Sequence, residues 1–302
     1  MNALAFPVWI DGTVVEANAA CVHIMTPSLH YGWGVYEGIR FYKTPNGPAA
    51  FRLTAHIERL RRSAKALGMN IPFTDAELVN ACKQVVSRSG LTAGYIRPIV
   101  FLREGSMSVA AQLEDVRVAI GCWAWSSYLG NSSKRIRVRT SAWTRSSPNA
   151  LPPSIKSTGG YINASLARLD AIRGGDQEAI MLNAAGRVAE ASAANVFMVM
   201  GGELVTPPLS EGILAGITRD SIITIAQDMG LTVIERPIAP AELRSASEIM
   251  LAGTAIEWVS VGTLDGQILD KTNAIFLEIR ARFDLAIEGS LSCREAWAEV
   301  MF

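Results

Sequence analysis

The chain has 302 residues, 49% of them hydrophobic, and a formal net charge of zero. That length supplies core material for one large domain or two of ordinary size, and the charge balance gives no field to draw nucleic acid or an anionic membrane. No apolar run reaches the length of a membrane span, and the first residues carry no basic leader followed by an apolar stretch, so a soluble, cytoplasmic protein is expected.

Cys21, Cys82, Cys122 and Cys293 are scattered with no Cys-x-x-Cys pair. This argues against a metal site or redox dithiol and fits buried free thiols. The three histidines, His23, His30 and His56, all lie in the first fifth of the chain. A hydrolase built on clustered histidine, or one with a late catalytic histidine, has little to draw on. Enzyme chemistry here would fall to a lysine or a cofactor.

Residues 8–15 read as a hairpin about Asp11-Gly12, and a second hairpin is expected over residues 39–52 about Pro45-Asn46-Gly47. Residues 29–40 hold Tyr31, Gly32, Trp33, Gly34, Tyr36, Glu37 and Gly38. The stretch is too rich in Gly for a helix and too aromatic for a solvated loop, so it is expected to line a concavity. Thr54 is placed to cap a helix running to Gly68, with Ile57, Leu60 and Ala64 on its buried face and Arg59 off it. Thr74-Asp75-Ala76-Glu77 spells a capping box for a second helix ending near Gly90. Residues 94–102 read as a strand on which Tyr95 and Arg97 share a face.

Composition shifts after Cys122, where residues 126–133 are small and polar. The expected organisation is a smaller N-terminal α/β domain over 1–122, an interdomain loop over 123–134, and a larger C-terminal domain over 135–302. Lys134, Arg135, Arg137 and Arg139 alternate with Ile136 and Val138, which predicts a strand with a solvated basic face. Helices are expected from Tyr161 to Arg173, from Thr218 to Gly230 and from Thr272 onward. Strands are expected over 178–183, 195–200 and 249–252, with a hairpin at Asp265-Gly266.

Near the middle stands Pro153-Ser154-Ile155-Lys156-Ser157-Thr158-Gly159-Gly160-Tyr161, one lysine between a Pro-rich entry and a Gly-Gly turn. By its type the residue is either a solvated loop lysine or a reactive amine. Leu214-Ala215-Gly216-Ile217-Thr218 and Gly253-Thr254-Ala255 each offer a concavity of N–H groups that suits an anion. Glu190, a lone acid among small residues, is either a surface turn residue or a carboxylate awaiting a cationic partner. A Schiff-base lysine, an acid for a ring nitrogen and two anion cups form the parts of a pyridoxal phosphate enzyme.

The chain resembles the branched-chain amino acid aminotransferases of class IV. The blocks that carry the likeness are His30-Tyr31-Gly32 with residues 36–40, His56 to Leu60, Tyr95 to Pro98, Trp125 with Tyr128-Leu129-Gly130, Lys156 to Tyr161, Glu190 to Asn195, Gly216 to Asp220 and Gly253 to Ala255. The resemblance implies a two-domain fold type IV pyridoxal phosphate enzyme, of the α+β or α/β class. It implies ping-pong transamination of branched-chain L-amino acids with 2-oxoglutarate, giving 2-oxo acids and L-glutamate through a Lys156 aldimine. Pyridoxal 5′-phosphate would be held by Lys156, Arg59, Tyr161, Glu190, Ile217, Thr218 and Thr254. Tyr95, Thr254 and Ala255 would take the substrate α-carboxylate, and Arg97 the side-chain carboxylate of glutamate. Tyr31, Tyr36, Gly38, Trp125 and Tyr128 would enclose an apolar side chain. A homodimer at least is implied, with residues near Val109 reaching the neighbouring subunit.

The chain departs from the family at Tyr36, commonly Phe, at Ser108-Val109 in place of Gly-Val, and at Trp33, where smaller residues are usual. These bear on which amino donor is preferred. The alternatives of the same fold are a D-amino acid aminotransferase, an (R)-selective amine aminotransferase and an aminodeoxychorismate lyase. A catalytically silent ligand-binding module is the non-enzyme alternative.

Overall fold

A computed structural model describes residues 6–105, 107–125, 135–269 and 273–302. The chain divides into two compact units, one of Met1–Ser126, Ile155–Gly159 and Leu285–Phe302, the other of Ser127–Ser154 and Gly160–Asp284. This division differs from the linear split expected about residues 123–134, most of which lie outside the described residues. Ile155–Gly159, assigned from sequence to the C-terminal domain, packs in the first unit because its backbone pairs there with a strand.

The first unit opens with the expected hairpin, β1 (Val8–Ile10) and β2 (Thr13–Val15). Asp11 and Gly12 both adopt positive φ, 47° and 98°, as a type I′ turn requires. Residues 29–40 do not form one irregular piece. They end α1 (Pro27–Tyr31), supply β3 (Gly34–Tyr36) and start β4 (Ile39–Thr44), which turns into β5 (Gly47–Phe51).

Helix α2 (Leu53–Ala66) does not use Thr54 as its cap. The chain enters it through Arg52 in the left-handed region, and the Thr54 N–H and hydroxyl donate to Glu299 at 2.9 and 2.6 Å. Helix α3 (Asp75–Ser89) has the capping box read from its sequence, both halves formed, and ends on Gly90 at φ 69°. Strands β6 (Gly94–Leu102) and β7 (Val116–Trp123) complete the element set together with a short C-terminal strand, Ala298–Val300. The sheet order is C-terminal strand, β5, β4, β6, β7, β1, β2, with β3 beside β6. Ile39, Phe41, Ile96, Val118 and Ile120 from the sheet share a core with Leu53, Ile57, Leu60, Leu78 and Val85 from α2 and α3. Each such side chain contributes about 1.5–3 kcal/mol by leaving water.

The second unit contains β8 (Arg135–Thr140), α4 (Tyr161–Arg173), β9 (Glu178–Leu182), β10 (Val188–Ala191), β11 (Asn195–Met200) and β12 (Glu203–Thr206). It continues with α5 (Ile217–Asp228), β13 (Val233–Glu235), α6 (Pro240–Ser245), β14 (Glu248–Gly253), β15 (Glu257–Leu264) and β16 (Gln267–Ile268), and α7 (Ala274–Ile287) begins in it. Its sheet runs β10, β9, β8, β15, β14, β11, β12, β13, with β16 on β15. The pairs β8–β9, β8–β15 and β12–β13 are parallel and the others antiparallel, so the fold is mixed α and β.

The β8 arginines are not a plain solvated face. Arg135 donates to the Leu269 carbonyl at 2.6 Å, Arg137 to the Gly175 carbonyl at 2.7 Å, and Arg139 to Asp176 at 2.6 Å. Of the four free thiols, Cys82 and Cys122 are buried as expected, whereas Cys21 and Cys293 are exposed. Among the described residues no helix is long and apolar enough to cross a membrane.

Candidate active site

In the first unit the lysine segment lies against β3. The Tyr36 N–H donates to the Lys156 carbonyl at 3.0 Å, the Thr158 N–H donates to the Gly34 carbonyl at 2.9 Å, and Val35 bridges Ser157. The Thr158 hydroxyl adds a bond to the Gly32 carbonyl at 2.9 Å. This closeness needs glycine at position 32, where φ is 71° and a Cβ would stand 2.8 Å from the Gly159 Cα. Lys156 is thereby fixed at its backbone, and its Nζ sits 5.0 Å from the centre of the Tyr36 ring.

Beyond Tyr36 the chain buries a carboxylate. Glu37 has no exposed surface and receives Arg59 Nε at 2.6 Å, Arg59 Nη2 at 2.8 Å and His56 Nδ1 at 2.7 Å. Arg59, read from sequence as lying off the buried face of α2, is itself buried. Its charge is met by Glu37 from the connection between β3 and β4, which amphipathic periodicity does not register. Burial pushes the Glu37 carboxyl upward, but the Arg59 charge and the hydrogen bonds from Arg59 and His56 outweigh it and hold it well below the usual carboxylate range. Burial, the largest influence, lowers the His56 imidazole; Glu37 raises it, Arg59 and Lys156 lower it further, and the net direction is downward, toward the neutral ring.

Strand alternation puts Tyr95 and Arg97 on one face of β6, as expected, and the neighbouring β7 sets Trp123 opposite Tyr95. The Arg97 guanidinium carbon lies 4.7 Å from the Tyr36 ring centre, 5.4 Å from Trp123 and 5.6 Å from Tyr95. Trp125 stacks on Tyr95 with centroids 4.9 Å apart. Arg97 forms no hydrogen bond or ion pair among the described residues, and its Nε is buried without a partner. Gly38 is compulsory in this cluster, since a Cβ there would come 1.9 Å from the Tyr95 hydroxyl. The Tyr31 hydroxyl donates to the Met107 carbonyl at 2.9 Å, and Val109 is 75% exposed. Trp33 packs against the core of its unit.

In the second unit Glu190 lies in β10, buried at 5% exposure, and not in a surface turn. Oε1 accepts from Arg145 Nε at 2.8 Å; Oε2 accepts from Asn195 Nδ2 and from the Leu214 N–H, both at 3.1 Å. Asn195 also donates to the Leu214 carbonyl at 3.1 Å, tying the start of β11 to the loop that enters α5. That helix begins at Gly216 with no side-chain cap, and Thr218 in its first turn is buried. In the sheet Asn195 pairs with Ala252, which sets Gly253, the last residue of β14 ahead of Thr254 and Ala255, beside Ala193-Ala194. Glu190, Leu214 and Gly216 therefore lie about Asn195. Tyr161 is the first residue of α4, and Tyr128 falls outside the described residues.

Sequence reading overlooked Arg145, Trp123 and the pairing role of His56. Arg145 stands among Ser and Thr residues with nothing local to mark it. Trp123 was discoverable, because antiparallel pairing of β6 and β7 brings it to the Tyr95-x-Arg97 face.

The comparisons with known proteins agree with one another. The family model for amino-transferase class IV matches residues 34–264. A branched-chain-amino-acid aminotransferase of Pseudomonas aeruginosa is 40% identical over 262 residues, covering 86% of this chain and 85% of the relative. The structure of the Escherichia coli branched-chain amino acid aminotransferase superposes with a TM-score of 0.96 at 34% identity, over 99% of this chain and 100% of that one. The T.th. branched-chain amino acid aminotransferase is 36% identical in two structures, each covering 99% of both chains. One, with pyridoxamine 5′-phosphate, has a TM-score of 0.95, and one complexed with N-(5′-phosphopyridoxyl)-L-glutamate has 0.94. With two mixed α and β units of this topology and relatives alike over nearly their whole length, the chain belongs to the class IV aminotransferases and, within them, to the family of the branched-chain-amino-acid aminotransferases.

Proposed function

We propose that the chain transfers the amino group of branched-chain L-amino acids to 2-oxoglutarate with pyridoxal 5′-phosphate held through Lys156. The observation that carries this reading is Arg97, a guanidinium boxed by Tyr36, Tyr95 and Trp123 and matched to no carboxylate among the described residues. A surface that is aromatic and also holds an unmatched cation suits both substrates of such a reaction. The apolar side chain meets the rings, and the second carboxylate of glutamate meets the guanidinium.

The donor set of the chain fits the cofactor. Lys156 is anchored through its backbone, Glu190 presents a carboxylate fixed at both oxygens, and α5 begins without a side-chain cap. The cofactor and the glutamate conjugate held by the T.th. relative support the same reading. When bound, the cofactor supplies an electron sink for the bond broken at the substrate α-carbon. Lys156 would hold the cofactor through its amine and, when that amine is free, would take and return the proton at the substrate α-carbon. Glu190 accepts the ring N–H, and its ion pair with Arg145 keeps that acceptor in place. Tyr161 donates to the phenolic oxygen, while Arg59, Ile217, Thr218 and Thr254 hold the phosphate. Tyr95 with the N–H groups of Thr254 and Ala255 takes the α-carboxylate, and Tyr31, Tyr36, Gly38, Trp125 and Tyr128 surround the side chain. The active form is a homodimer at least, with exposed Val109 turned to the neighbouring subunit.

The test is a panel of single-turnover half-reactions with L-leucine, L-isoleucine, L-valine, L-glutamate, D-alanine and (R)-1-phenylethylamine, followed by bleaching of the visible band of lysine-bound pyridoxal. Rapid bleaching by the four L-amino acids alone is the expected result. Faster turnover of D-alanine or the amine would overturn the substrate assignment.

A further inference from the structure

The buried trio of Glu37, His56 and Arg59 needs a reason to exist. Glu37 is 0% exposed, His56 1% and Arg59 5%. His56 and Arg59, three residues apart, present polar heads from the same face of α2 that buries Leu53, Ile57 and Leu60. A buried ion pair stabilises little compared with apolar residues of the same volume, because both charges must leave water. If α2 only had to pack, leucine-like residues would serve at all three positions.

Geometry shows what the trio does provide. Glu37 engages Arg59 along one edge of the guanidinium, Nε to Oε1 and Nη2 to Oε2, and this two-point contact fixes the plane of the group. The Oε2 atom also accepts from His56 Nδ1 at 2.7 Å and, more weakly, from the Gly38 N–H at 3.4 Å. The carboxylate cannot turn without breaking one of these. Its own backbone is held as well, since the Glu37 N–H donates to the Pro98 carbonyl at 2.9 Å.

We propose that Glu37, steadied by His56, is the positioning residue that orients Arg59 for the cofactor phosphate. The proposal rests on the reading of Arg59 as a phosphate-binding residue. Glu37 touches neither cofactor nor substrate in this role; it acts through the guanidinium it clamps. Lysine at position 59 would not substitute, because a single ammonium has no plane to fix.

The experiment compares affinity for pyridoxal 5′-phosphate with affinity for pyridoxal, which lacks the phosphate, in the full chain stripped of cofactor and titrated by absorbance. Arg59→Ala should weaken the phosphorylated form roughly 10- to 100-fold and leave pyridoxal unchanged. Glu37→Gln should show the same selective loss, of at least about tenfold. The double variant Glu37→Gln with Arg59→Ala should bind no more weakly than Arg59→Ala alone, because Glu37 works through Arg59. A Glu37→Gln protein that keeps native affinity, loses both ligands equally, or adds its loss to that of Arg59→Ala would overturn the proposal. If Arg59→Ala loses both ligands equally or neither, the phosphate reading of Arg59 fails, and the proposal fails with it. Should Glu37→Gln not fold, His56→Gln carries the comparison. A smaller but still selective loss supports the proposal, and native affinity in that variant refutes it.

Discussion

Tyr36 and Arg97 meet face to charge: the guanidinium carbon stands 4.7 Å from the ring centre, and no carboxylate among the described residues answers it. The Lys156 amine approaches the same ring at 5.0 Å. A guanidinium with its Nε buried and no carboxylate partner among the described residues makes this corner of the first unit anion-seeking. Arg97→Ala is expected to slow the glutamate half-reaction roughly 10- to 100-fold more than the leucine half-reaction. Equal losses with both donors would remove the assigned role.

Lys156→Ala should leave the far-UV circular dichroism unchanged, because the segment is held by its backbone bonds to β3 and not by the amine. The visible band and transamination should both vanish. Turnover at the native rate in this variant would refute the role given to the lysine.

Gly38→Ala tests the packing that surrounds Arg97. A Cβ at this position overlaps the Tyr95 hydroxyl at 1.9 Å, and Tyr95 is held between Trp123 and Trp125. The ring must therefore move. The expected outcome is kcat/KM for leucine lowered at least about tenfold with the cofactor band retained; steady-state kinetics beside the absorption spectrum would decide it.

The ion pair of Arg145 and Glu190, 13% and 7% exposed, should be expensive to break from one side. Arg145→Met leaves Glu190 with only the amide of Asn195 and the Leu214 N–H among the partners described above. A loss of roughly 3 kcal/mol in urea unfolding is expected. Adding Glu190→Gln should recover part of that loss, and strictly additive losses would show that the two residues do not interact.

Stability should fall on the acid side. Glu37 has a depressed folded pKa, so its contribution is present above the unfolded carboxylate value and is lost as pH drops through the folded one. His56 is depressed too. Its neutral form is favoured by the fold, and stability declines as pH falls below the unfolded histidine value of about 6.5. Arg59 and Lys156 add positive charge around the imidazole and act in the same direction. The urea midpoint should be lower at pH 5.5 than at pH 8, with a shallower difference in His56→Gln.

Local chemistry was legible in the sequence and distant chemistry was not. Asp11-Gly12 and Asp265-Gly266 announce hairpins because positive φ is a property of the turn itself, and Thr74 with Glu77 closes a capping box within four residues. Thr54 also looks like a cap, yet Glu299 claims both its donors from 245 residues away. Arg59 reads as a solvated helix residue for the same reason, since its partner Glu37 stands 22 residues away, between β3 and β4. Of the proposed site, the residue types could be named from their spacing and family likeness. The bridge from Ser157 to Val35, the Arg145 clamp on Glu190 and the aromatic box about Arg97 arise only once strands pair.

The first unit is assembled from three separate lengths of chain, and the last of them holds the strand Ala298–Val300 along β5 and supplies Glu299 to the start of α2. During synthesis the helix that carries His56 and Arg59 emerges early but cannot receive this clasp until Glu299, 245 residues after Thr54, has left the ribosome. The second unit, complete at Asp284, has all its strands available sooner. The order of manufacture thus runs opposite to the order of the sequence: the half that begins first is finished last, and the Arg59 helix waits on the tail.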